Sequence, residues 1–102
     1  MSKRVTIEKS SGNVFVDLGY SPEEAANLTL RSLIMMKLEG WYEASGLTQA
    51  RAAKELGVTQ PRFNDLLKGR IDKFSLDALV NMTARAGMRV ELRVKAPLKK
   101  AA

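Results

Sequence analysis

Residues 49–68 read QARAAKELGVTQPRFNDLLK, and the spacing of their apolar side chains decides the fold. Ala50, Ala53 and Leu56 recur at helical intervals, and Phe63, Leu66 and Leu67 do so again beyond Gly57. Two short helices packed by these faces are predicted. Thr48 and Thr59 stand before them, each with a side-chain oxygen for the unpaired N–H groups of the first turn. Val58 and Phe63 flank the second cap as a hydrophobic staple. Pro61 falls in the first turn, where no intrahelical N–H bond is lost. Gly57 suits a left-handed stop, and Ala53 is small where a second helix must cross closely. The expected product is a tight two-helix corner.

Within this corner Gln49 opens the first helix, Ala53 is the small residue of the crossing, Gly57 makes the turn, and Val58, Phe63 and Leu66 are the apolar framework of the second helix. That pattern resembles the helix-turn-helix of the phage-repressor-like (XRE) family. Phe63 departs from it, standing where a β-branched residue is commoner, as does Asn64, where a small hydroxyl residue is frequent. The wider run GLTQARAAKELGVTQPRFNDLLKGRIDKFSLDAL, with NVFVDLG upstream, is similar to the HigA-type antitoxin branch. The resemblance implies a small regulator encoded beside a toxin.

Length and composition narrow the alternatives. The chain has 102 residues, enough for one modest core. It has no cysteine and no histidine, so disulfides, thiolate or imidazole metal sites, thiol nucleophiles and the commonest general base are excluded. No carboxylate pair stands in a recognisable catalytic pattern, so neither an enzyme nor a cofactor is expected. The formal charge is +6 and unevenly spread: residues 1–46 carry five basic and six acidic side chains, residues 47–102 twelve and five. The positive half coincides with the two-helix corner, as attraction to a phosphate backbone requires. No apolar run approaches the roughly 20 residues of a membrane span, and a cytoplasmic location is expected.

Taken in order, residues 1–20 form an N-terminal arm, in which Val5 and Ile7, or Val14 and Val16, alternate as short strands do. Residues 21–87 form the DNA-binding domain. Ser21-Pro22-Glu23-Glu24 is a capping box that opens a helix running to Ser45 and stopped by Gly46. Its expected core stripe is Ala26, Leu30, Leu33, Ile34, Leu38 and Trp41. Leu28, Met35 and Tyr42, spaced by seven, fall on another side and are expected to meet the arm, a second protomer or a partner protein. Ser75 caps a fourth helix with Leu76, Leu79, Val80, Thr83 and Ala86 on its buried side. Residues 88–95 form a strand, since Met88, Val90, Leu92 and Val94 alternate with charged residues, and 96–102 a basic tail. The predicted class is therefore mainly α, a repressor-like bundle of about four helices with a C-terminal β-strand that pairs with the arm, a second copy or a partner.

A helix-turn-helix inserts the N-terminal end of its second helix into the major groove. The side chains facing away from Phe63, Leu66 and Leu67 are Thr59, Gln60, Pro61, Asn64, Asp65 and Lys68. Base contacts are expected from Thr59, Gln60, Pro61, Asn64 and Asp65: the amides pair with adenine, the proline ring meets a thymine methyl, and the carboxylate accepts from cytosine or steers a neighbouring cation. Gln49, Arg62, Lys68, Arg70 and Lys73 are expected on phosphates. One such unit reads few base pairs, so a homodimer on a palindromic double-stranded operator is expected, with half-sites about 34 Å apart. Leu28, Met35, Tyr42 and the strand residues Met88, Val90, Leu92 and Val94 are the candidate interfaces. The leading reading is an antitoxin that represses its own operator and neutralises a ribonuclease-like toxin. The alternatives are a stand-alone phage- or plasmid-type repressor, or an interaction module using the corner as scaffold.

Overall fold

The computed structural model describes residues 13–97. Within them the chain forms α1 (Val14–Asp17), α2 (Pro22–Ser45), α3 (Gln49–Leu56), α4 (Gln60–Leu67), a 3-10 turn (Ile71–Lys73) and α5 (Leu76–Arg85). Local chemistry sets most boundaries. Ser21 Oγ accepts from the Glu24 N–H at 3.1 Å, Pro22 occupies the first turn, and Gly46 ends α2 in the left-handed region. Thr48, Thr59 and Ser75 cap α3, α4 and α5 in the same way.

The core lies where α2 and α5 close over the α3–α4 corner. Leu38, Leu56, Phe63, Leu66, Phe74 and Leu79 are its largest fully buried side chains, with Met35, Ala52, Ala53 and Met82 filling between them. Burial of a side chain the size of Phe63 contributes about 1.5–3 kcal/mol.

The structure redraws two helix faces. On α2, Ala25, Leu28, Met35 and Leu38 are buried, while Ala26 and Leu30 are exposed and Leu33, Ile34 and Trp41 half-buried. Tyr42 is half-buried and meets Phe63 edge-on, ring centroids 5.0 Å apart. The two expected stripes are thus one broad face, with the 28-35-42 line near its middle. On α3 and α5 the inward positions include Ala52 and Met82, while Ala50 and Val80 point outward.

The expected β-strand is absent: among the described residues there are five α-helices and no strand. Val14 and Val16 lie in α1, nucleated by Asn13, whose Oδ1 accepts from the Phe15 and Val16 N–H groups. Val5 and Ile7 lie outside the described residues. Residues 88–97 leave α5 without a ladder. Only Met88 is anchored, its N–H donating to the Thr83 carbonyl at 3.0 Å and its side chain packing on the core. Leu92 and Val94 are 71% and 82% exposed. Alternation alone makes a segment suitable for a sheet, and without a neighbour to take its backbone bonds it stays irregular. None of the helices is long and apolar enough to cross a membrane, among the described residues.

Candidate nucleic-acid interface

The corner is held from both sides of its turn. Gly57 adopts φ +75°, and the Val58 N–H donates back to the Ala53 carbonyl at 3.0 Å, which reverses the chain within two residues of α3. Thr59 Oγ1 then accepts from the Arg62 N–H at 3.3 Å, starting α4 at Gln60. Phe63 and Leu66 anchor α4 in the core, so its opposite side is presented outward.

On that outward side Gln49, Gln60, Pro61 and Asn64 line one shallow open depression. Thr59, Gln60 and Pro61 are exposed, Gln49 and Asn64 half-exposed. Three side-chain amides, a proline ring and the N-terminal end of α3 converge there, a set able to offer paired donors and acceptors, an apolar contact and helix N–H groups to one ligand surface. Thr59 serves mainly as the helix cap.

The expected phosphate ligands are placed differently from one another. Lys68 and Lys73 are exposed. Arg70 lies 3.8 Å from the Asp65 carboxylate, and its N–H donates to the Asp65 carbonyl at 3.0 Å. The Arg62 guanidinium stacks 4.5 Å above the ring centroid of the buried Phe74, which fixes it beside the core. Of the expected interface residues, Leu28 and Met35 are 8% and 6% exposed inside the chain's own interior, and Tyr42 packs on Phe63; Val90, Leu92 and Val94 stand in the open.

Two cations that the sequence pattern does not single out also shape this region. Arg31 reaches from α2 to the carbonyls of Ile71 and Phe74, at 3.1 and 2.9 Å. Arg85 lies against Gly57 and donates to the Glu55 carbonyl at 3.3 Å. Arg31 left a signal: it sits three residues after Leu28 and seven before Leu38, a cation on a buried helix face, which requires a buried acceptor.

Comparison with known proteins agrees with this geometry. Residues 14–95 match the helix-turn-helix domain family. The chain belongs to that family. The helix-turn-helix is also similar to a solved structure named "Putative XRE Family Transcriptional Regulator", with 26% identity, a TM-score of 0.69, and coverage of 78% of this chain and 90% of that one. No curated protein matches the chain. Family and likeness together support a helix-turn-helix of XRE type and a DNA-binding regulator.

Proposed function

We propose that this protein is a sequence-specific transcriptional repressor that binds a palindromic operator as a homodimer. The observation that carries the reading is the outward side of α4, where Gln60, Pro61 and Asn64 share a depression with Gln49 at the start of α3. Gln60 and Asn64 read base edges, Pro61 contacts a thymine methyl, and Thr59 and Asp65 complete the base-facing set. Gln49, Lys68, Arg70 and Lys73 hold phosphates, with Arg62 at the flank. Because Leu28 and Met35 are enclosed, the segment carrying Met88, Val90, Leu92 and Val94 is the better dimerisation surface. Its exposed apolar side chains, with the resemblance to HigA-type antitoxins, also favour a toxin as protein partner.

The test is anisotropy titration of the duplex that wild-type protein enriches from a random-sequence pool, against a scrambled duplex. Gln60→Ala is expected to lose about 1–3 kcal/mol of discrimination while retaining binding to scrambled DNA. A pool with no enriched sequence, or a variant with unchanged preference, refutes the reading. Coexpression with the neighbouring gene product tests the antitoxin role: an antitoxin copurifies with it and relieves its toxicity, whereas a stand-alone repressor does neither.

A further inference from the structure

The loop after the recognition helix is tied at both ends. At its start Arg70 is held by Asp65 through side chain and backbone. At its end the Arg31 NH1 group donates to the carbonyls of both Ile71 and Phe74, which bracket the 3-10 turn Ile71–Lys73. Arg31 is itself oriented by Asn27, whose Oδ1 accepts from its Nε at 2.7 Å. Two carbonyls and an amide oxygen are neutral acceptors, so these bonds fix where the turn lies without cancelling the positive charge of Arg31. Lysine has no planar fork with which to reproduce this geometry.

What the turn presents depends on its rotation. Arg70 stands at the start of the turn and Lys73 at its end, and the Lys73 N–H donates to the Arg70 carbonyl at 3.0 Å, so both cations belong to one short hydrogen-bonded segment. A rotated turn would move both cations relative to the DNA backbone. We infer that Arg31, aligned by Asn27, is a positioning residue that sets this rotation and so presents Arg70 and Lys73 together to phosphates. The inference rests on the proposed DNA-binding function and adds to it a control point on α2, outside the helix-turn-helix.

The experiment measures the salt dependence of binding to the selected duplex for wild type, Arg31→Lys and Asn27→Ala, each alone and combined with Arg70→Ala/Lys73→Ala. Thermal melts confirm that each protein is folded. Arg31→Lys keeps the charge, so a direct electrostatic role predicts an unchanged slope. Positioning predicts a slope of log K against log salt shallower by about one for each phosphate no longer engaged, hence by about two, with base preference at the Gln60 position retained. It also predicts no further effect of Arg31→Lys once Arg70 and Lys73 are gone. Asn27 is exposed, so Asn27→Ala keeps the test valid if Arg31→Lys fails to fold; its slope should shift in the same direction. Selective wild-type binding with unaltered slopes in the folded variants overturns the inference alone. Equal losses of affinity in both backgrounds overturn it too, whereas absence of selective wild-type binding overturns the repressor reading along with it.

Discussion

Gly57→Ala isolates what the corner demands of its backbone. At φ +75° an added Cβ costs about 1–2 kcal/mol in local sterics, and the stiffer unfolded chain returns about 0.4–1 kcal/mol. The same difference applies at Gly46, where φ is +74° and nothing lies within 4 Å of the added carbon. Gly57 differs in having the Arg85 Nε at 2.6 Å from that position. Nε and its neighbours are the far end of a flexible side chain, so Arg85 can swing away, and what it gives up is one 3.3 Å bond in an exposed setting, within about 0.5–1.5 kcal/mol. Gly46→Ala is therefore expected to cost about 1 kcal/mol and Gly57→Ala about 1.5–2.5. At about 4–8 °C per kcal/mol for a small domain, the latter lowers Tm by about 6–20 °C. Urea unfolding of both variants, alone and with Arg85→Ala, separates the terms: without Arg85 the two glycine substitutions should cost the same. A larger penalty at Gly57 that survives removal of Arg85 would refute the assignment of the excess to that side chain. Equal penalties with Arg85 present would refute any crowding at all.

Phe63→Ala removes a fully buried ring and its edge contact with Tyr42; a loss of about 3–5 kcal/mol, a large share of the stability of a small domain, is expected in urea unfolding. Thr59→Ala removes the α4 cap and should cost about 1 kcal/mol, with Thr59→Ser restoring most of it in the same assay. Leu92→Glu alters a side chain 71% exposed, so monomer stability should be unchanged within about 0.5 kcal/mol. If the C-terminal segment forms the dimer, sedimentation equilibrium should show weaker self-association of that variant; unchanged association would assign the dimer to another surface.

The parts of the fold legible in the sequence are those fixed by neighbours along the chain. Ser21, Thr48, Thr59 and Ser75 bond to N–H groups three residues away, and Gly46 and Gly57 act on their own turns. Such features survive translation into a pattern of letters. The buried face of α2 did not, because its apolar residues surround the helix: Leu28, Leu30, Leu33, Ile34, Met35, Met36 and Leu38 leave little contrast between sides. Tertiary packing chose 28, 35 and 38. The C-terminal alternation misled for the opposite reason, being a clear local signal whose outcome depends on a distant partner. In the interface, Gln60, Pro61 and Asn64 lie on the side of α4 away from the buried Phe63 and Leu66, as the helical spacing implies, and Gln49 lines the same depression. Apart from the i−4 bond of Arg31 to Asn27, the partners of Arg31, Arg62 and Arg85 follow no period, since each joins a side chain to an acceptor or ring outside its own helix.

Those three arginines change the meaning of the chain's positive charge. Arg31 is held by carbonyls and an amide, Arg62 by an aromatic face, and Arg85 by a carbonyl; none of these acceptors carries a formal charge. Two ion pairs that join described residues, Arg70–Asp65 and Arg89–Glu91, are at least partly exposed, where water and salt weaken the pairing. Neutral partners restrict a cation's position while leaving its long-range field intact. A fixed cation also gives up less side-chain freedom when a ligand arrives, which lowers the ordering cost of association. On the proposed function, such a surface would attract a polyanion through charge spread over the motif and leave the choice of sequence to the uncharged Gln60, Pro61 and Asn64. Affinity should consequently fall with salt for every duplex, while the ratio between operator and scrambled DNA should depend chiefly on the side chains at the start of α4.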